Sequence, residues 1–109
     1  MFNTWTDMKN NNSDEFNVLR KIQKKPDSTQ RLLAKELGFS LGKLNYCLKS
    51  LKNKGLIKIR NFKKNPNKIH YIYMLTPKGI AQKTKLTVKY MKLKMREYDE
   101  LKKEIEELK

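Results

Sequence analysis

The sequence predicts a mainly α fold with one small β-hairpin and a long last helix. Three observations carry this. Apolar residues recur at helical spacing in four separate stretches. A β-branched and aromatic run at 69–75 follows a looser run at 56–62 across a turn cluster. Beyond Gly79 no helix breaker appears. At 109 residues the chain is one small domain, with room for one appended element.

Residues 1–13 are polar and Asn-rich, with Phe2, Trp5 and Met8 spaced by three. They read as a flexible or short helical arm. Ser13 or Asp14 is expected to cap a first helix whose inward residues are Phe16, Val18, Leu19 and Ile22, and Pro26 ends it. Ser28 is expected to cap the second, with Leu32, Leu33 and Leu37 inward and Gly38 as the left-handed stop. Ser40 caps the third, where Leu44, Leu48 and Leu51 form one buried stripe, and Gly55 closes it. Phe39 packs under the turn between the two.

The run 56–62 reads as a strand, 63–68 as a turn, and 69–75 as the return strand. Thr76 with Pro77 at the first helical position is a strong start signal. The last helix then runs to about Leu108, roughly 45 Å at 1.5 Å per residue. Its seam is Ile80, Leu86 or Thr87, Met91, Met95, Tyr98, Leu101, Ile105 and Leu108, so its distal half is expected to pack on a second copy. Two consecutive spacings of three near Tyr98 interrupt a strict heptad.

A short helix, a tight turn, a second helix and a basic strand make a helix-turn-helix with a wing, which places one helix in the DNA major groove. The expected division is an arm at 1–13, a winged helix-turn-helix at 14–76 and a dimerisation helix at 77–109. Charge agrees with that use. The net is +15, and residues 97–109 hold six acids against three lysines, which leaves +18 on residues 1–96. So basic a domain attracts polyanions, of which nucleic acid is the usual one.

With the third helix's leucines turned inward, Gly42, Lys43, Asn45 and Tyr46 face away near its N-terminus and are the expected base-edge readers. Lysine donates to guanine O6 and N7, and asparagine pairs both ways with adenine. Tyr46 can meet a thymine methyl, and Gly42 lets the backbone approach closely. Ser28, Thr29, Gln30, Ser40 and Lys49 are expected at phosphate. Arg60, Lys63, Lys64, Asn65, Asn67 and Lys68 make a basic wing that can cross the backbone or enter the minor groove. Met91, Met95, Tyr98, Leu101, Ile105 and Leu108 are the expected dimer contacts.

The other function classes find little support. One cysteine, Cys47, excludes an intramolecular disulfide and a cysteine metal cluster, and it reads as packing rather than as a redox sensor. A lone His70 on a strand builds neither a zinc site nor a catalytic pair. No phosphate-cradling Gly-rich loop occurs. No enzyme and no cofactor is expected. The absence of an 18-residue apolar run and of a signal-like N-terminus points to the cytoplasm and away from membranes. A non-specific DNA- or RNA-binding winged helix and a protein-interaction module remain as alternatives.

The Leu51–Leu56 turn and Leu75-Thr76-Pro77-Lys78-Gly79 resemble the turn into the wing, and the opening of the next helix, of MarR-type winged-helix proteins. More closely, SLGKLNYCLKSL at 40–51, Asn61-Phe62, NKIHYIYMLTPKGI at 67–80 and the helix at 85–108 resemble small MarR-family regulators associated with exopolysaccharide (EPS) gene clusters. The resemblance covers about residues 14–108. It implies a dimeric bacterial transcriptional regulator that binds double-stranded DNA through Ser40, Gly42, Lys43, Asn45, Tyr46 and the wing lysines. One departure is visible: Asn65-Pro66-Asn67-Lys68 stands where an Asp-x-Arg pair is usual in the wing. Operator, effector and sign of regulation are not written in the sequence.

Overall fold

The computed structural model describes the backbone of residues 4–65 and 68–109, and the side chains of residues 13–61 and 71–109. The element order is α1 (Thr4–Lys24), α2 (Gln30–Leu37), α3 (Leu41–Asn53), β1 (Ile57–Asn65), β2 (Lys68–Leu75) and α4 (Pro77–Glu107). The fold class is as the sequence predicts: mostly helical, with one antiparallel hairpin and a long C-terminal helix.

Three local expectations are corrected. Ser13 and Asp14 lie inside α1, which starts at Thr4, so neither caps it. Ser28 does not cap α2; Thr29 does, its hydroxyl accepting from the Leu32 N–H at 3.1 Å. Both residues suit a cap, and the loop geometry decides, because the Ser28 N–H is already held by the Lys25 carbonyl and the residue is buried at 6% exposure. Leu32 was expected inward and is 41% exposed; Leu33, expected inward, is buried together with Ala34, and Leu37 packs against the core as expected. With Leu33 facing the core, Leu32 lies about 100° round the helix from it, at the edge of the buried face.

The core gathers Val18, Leu19 and Ile22 from α1, Leu33 and Ala34 from α2, and Leu44, Cys47, Leu48 and Leu51 from α3. Leu56, Ile57 and Tyr73 close it from the hairpin. Burying each large apolar side chain contributes about 1.5–3 kcal/mol before ordering costs. Phe39 packs against this core, as expected. The Tyr73 N–H also donates to the Pro26 carbonyl at 3.1 Å, tying the α1–α2 loop to the sheet. Burial pushes the Tyr73 phenol up, with Gln30 acting partly against this from outside hydrogen-bond geometry.

Both helices of the helix-turn-helix end in Schellman turns. At the first, Gly38 takes φ 72° and the Phe39 N–H reaches the Ala34 carbonyl. At the second, Gly55 takes φ 74°, the Leu56 N–H reaches the Leu51 carbonyl and the Gly55 N–H that of Lys52. Left-handed backbone is strained for residues with a Cβ, which is why glycine stands at both stops.

The second stop is clasped by the start of α4. The Thr76 hydroxyl donates to the Gly55 carbonyl at 2.6 Å and accepts from the Gly79 N–H at 3.0 Å. The Thr76 N–H donates to the Leu56 carbonyl, and the Lys78 ammonium reaches the Lys54 carbonyl. The Leu51–Leu56 turn and the Leu75–Gly79 segment are therefore two halves of one joint.

The hairpin pairs Ile57 with Leu75 through Asn65 with Lys68, with an irregularity between Lys63 and Asn65. The strands reach further than expected: most of the segment read as a turn belongs to β1 and β2. Ladder hydrogen bonding carries polar Lys and Asn residues into strand geometry that their own propensities do not favour.

Candidate nucleic-acid interface

The third helix is fixed from behind and bare in front. Leu44, Cys47, Leu48 and Leu51 are buried, while Gly42, Lys43, Asn45, Tyr46, Lys49 and Asn53 are exposed. Tyr46 keeps 70% of its surface open, unusual for an aromatic residue beside a core. A Cβ built on Gly42 meets nothing within 4 Å, so this first turn is open to a close approach. The expected base-edge group thus stands together on one face.

Ser40 caps this helix, its hydroxyl accepting from the Lys43 N–H at 3.1 Å. The hydroxyl proton is left free to donate, which suits a phosphate oxygen beside the helix N-terminus. Thr29 stands in the same relation to α2. Gln30 is half-buried beside Tyr73, and Lys49 is exposed one turn beyond Asn45. Ser28 separates from this group. It was expected at phosphate, yet it is buried at 6% exposure rather than open at a helix start.

Acids are arranged to leave this face positive. Between Glu36 and Glu97 the sequence contains no acid and sixteen basic residues. Among the described residues, Glu15 of α1 and Glu36 of α2 are turned to internal partners. Glu15 accepts from Ser50 and, through both oxygens, from Lys54, each at 2.9 Å. Glu36 pairs with Lys25 at 3.3 Å and Lys21 at 3.4 Å, and the Lys25 hydrogen bond holds its carboxyl below the usual range. These contacts brace α1 against α2 and α3.

Lys43 is also held. Its ammonium lies 3.1 Å from the Asp14 carboxylate and 4.4 Å from the centre of the Phe39 ring. Sequence spacing could not show this, because Asp14 is distant in the chain and was assigned to a cap. The side chain must leave Asp14 to reach a base. Asp14→Asn is therefore expected to raise affinity for duplex DNA about threefold, consistent with about 0.2–1 kcal/mol for an exposed ion pair. Fluorescence anisotropy of a labelled duplex measures it; equal or weaker binding by the variant would show that the Lys43–Asp14 pair does not compete with DNA.

Arg60 is exposed on β1. The backbones of Lys63, Lys64, Asn65 and Lys68 lie near the end of the hairpin. Their side chains fall outside the described residues, as do Asn67, His70 and the arm residues Phe2, Trp5 and Met8. Cys47 is buried, and burial, with Asp14 and Glu15 nearby, pushes its thiol up, so it lacks the thiolate character of a redox sensor. Among the described residues no group of three or more His, Cys, Asp or Glu could hold a metal, and no helix is long and apolar enough to cross a membrane.

Residues 15–58 match the family model described as winged helix-turn-helix DNA-binding. No curated protein matches the chain. Among solved structures it is similar to the PcaV transcriptional regulator from Streptomyces coelicolor, at 18% identity and TM-score 0.66 over 75% of this chain and 59% of that one. It is similar to ZitR of Lactococcus lactis, a zinc-responsive MarR family member, at 25% identity and TM-score 0.63 over 82% and 59%. It is also similar to FabT of Streptococcus pneumoniae, solved in complex with DNA, at 27% identity and TM-score 0.57 over 79% and 58%. The chain thus spans less than two thirds of the length of these regulators. Residues 15–58 match a winged helix-turn-helix domain, and the chain around them has the fold of these solved proteins, ZitR of the MarR family among them.

Proposed function

We propose that the chain is a sequence-specific, double-stranded-DNA-binding transcriptional regulator of MarR type that acts as a homodimer. The observation that carries this reading is the outward face of α3: capped at Ser40, rigidly backed by four buried residues, with no acid of its own, and presenting Asn45 and Tyr46 to solvent. A recognition helix needs that combination, because base edges are read only when side chains are held in register with the groove. Asn45 and Tyr46 read bases, Lys43 joins them on leaving Asp14, and Lys49, Ser40 and Thr29 hold phosphate. The hairpin carries its lysines to the flanking backbone.

The dimer reading rests on α4. Met91, Met95, Tyr98, Leu101, Ile105 and Leu108 are all more than half exposed along one helix. A contiguous apolar row of that length marks an interaction surface. Two copies would present two α3 helices to successive major grooves, about 34 Å apart. The resemblance of the 40–51 and 67–80 blocks to EPS-associated regulators supports exopolysaccharide genes as targets. Transcripts of such genes should change on deletion of this one.

Selection from random duplex DNA tests the biochemical reading and should return one enriched site. On that site Asn45→Ala costs about 1–3 kcal/mol at a single base pair and relaxes preference there, whereas Lys49→Ala weakens specific and random DNA alike and lowers the salt slope by about one. The sixteen basic residues without an intervening acid also suit a purely charge-driven binder. That reading predicts steep salt dependence and no enriched site.

A further inference from the structure

We propose that the α4 helices of two copies pair antiparallel, with a twofold axis beside Arg96, and that the acidic end of each lies against a basic groove between α1 and α4 of the other. This rests on the dimer reading above and adds orientation, register and a second contact surface to it.

The first argument is charge. Residues 77–96 of α4 contain seven basic residues and no acid, whereas 97–109 contain six acids and three lysines. A parallel pair would set the basic halves together and the acidic ends together. An antiparallel pair sets each acidic end along a basic half. Exposed opposite charges attract weakly one at a time, but along two helices the preference accumulates and has one sign throughout.

The second argument is the stripe itself. With the axis beside Arg96, Met91 meets the partner's Leu101, Thr84 meets the partner's Leu108, and Ile105 lies over the partner's Thr87 and Val88. Each of these residues is exposed in the single chain. The stripe is thus complementary to its own reverse from residue 84 to 108, about 37 Å of helix at 1.5 Å per residue.

The third argument is the groove. Phe16 and Tyr90 stack with ring centres 5.0 Å apart and, with Met91, floor a groove of about 530 Å³ between α1 and α4. Arg20, Lys83 and Lys94 stand among its walls. In the antiparallel register the partner segment passing this groove carries Glu104, Glu106 and Glu107 around Ile105 and Leu108. An apolar floor with basic walls matches an apolar helix edge flanked by acids.

Cysteine pairing tests the arrangement in the full-length chain. In a Cys47→Ser background, Met91→Cys and Leu101→Cys chains carrying different tags are oxidised alone and mixed. The antiparallel pair predicts a disulfide-linked dimer between the two variants and little from either alone. Strong 91–91 and 101–101 linkage in the separate samples would overturn the orientation while leaving the dimer reading intact. Monomers in light scattering of the unsubstituted chain at all concentrations would overturn the pairing altogether; DNA-site preference, measured separately, stands or falls by itself. With Cys47 retained, Glu104→Lys combined with Glu107→Lys should raise the dimer Kd about tenfold at low salt, with most of the change gone at high salt. An unchanged Kd would overturn the charge pairing.

Discussion

Gly79→Ala is expected to destabilise the fold by about 3 kcal/mol, at the upper end of ordinary overpacking penalties. A Cβ at this position would sit inside the Leu56 carbonyl and crowd the Leu56 carbonyl carbon, at 2.9 Å, and Cα, at 3.3 Å. All three are backbone atoms and cannot swing aside as a side-chain tip does. The same carbonyl accepts the Thr76 N–H, and the Gly79 N–H is held by the Thr76 hydroxyl, which in turn grips Gly55. Admitting one methyl group therefore means lifting the first turn of α4 from the end of α3 and loosening these bonds together. Thermal unfolding measures the loss, and 3 kcal/mol corresponds to about 12–24 °C for a domain of this size. An alanine variant with unchanged Tm would show that α4 can shift without cost. Gly42→Ala is the control, because nothing lies within 4 Å of its Cβ and its φ is not left-handed.

That joint also shows where sequence reading reached and where it stopped. Thr76, Pro77 and Gly55 announced a helix start and a helix stop, because capping and left-handed geometry act through residues adjacent in the chain. Nothing local says that the start and the stop are bonded to each other across twenty residues. The same division runs through the candidate site. The α3 leucine stripe fixed which residues face outward, so Asn45 and Tyr46 were legible from periodicity alone. The engagement of Lys43 with Asp14 was not, since it depends on α1 extending back to Thr4 and carrying Asp14 past the start of α3. Ser28 and Leu32 went astray separately: two adjacent hydroxyl residues can each cap α2, and of two adjacent leucines only Leu33 faces the core squarely. The loop makes the choice of cap: the Ser28 N–H is held by Lys25 three residues back, and Pro26 is tied to Tyr73, the second of these being a tertiary contact.

Leu44→Ala and Asn45→Ala, one residue apart, should separate stability from recognition. Leu44 is fully buried within the core cluster, so truncating it should cost about 2–5 kcal/mol through lost burial and the cavity left behind. Asn45 is exposed, and its truncation should leave Tm within about 2–4 °C of the parent, since surface changes away from caps and networks stay within about 0.5 kcal/mol. Binding should reverse the order. At a temperature where the Leu44→Ala chain is still folded, it should keep the parent's ranking of DNA sites, because the face that reads them is chemically unchanged. Asn45→Ala should lose discrimination at one base pair while remaining as stable as the parent. A Leu44→Ala chain that folds but ranks sites differently would mean that the register of α3 depends on this one leucine rather than on Cys47, Leu48 and Leu51 as well. An Asn45→Ala chain with an unaltered ranking would remove Asn45 from the reading face and shift the search to Tyr46 and Lys43. The two faces of one thirteen-residue helix thus divide the work, and because α3 is held by both its caps and its buried stripe, the division can be measured on either face without disturbing the other.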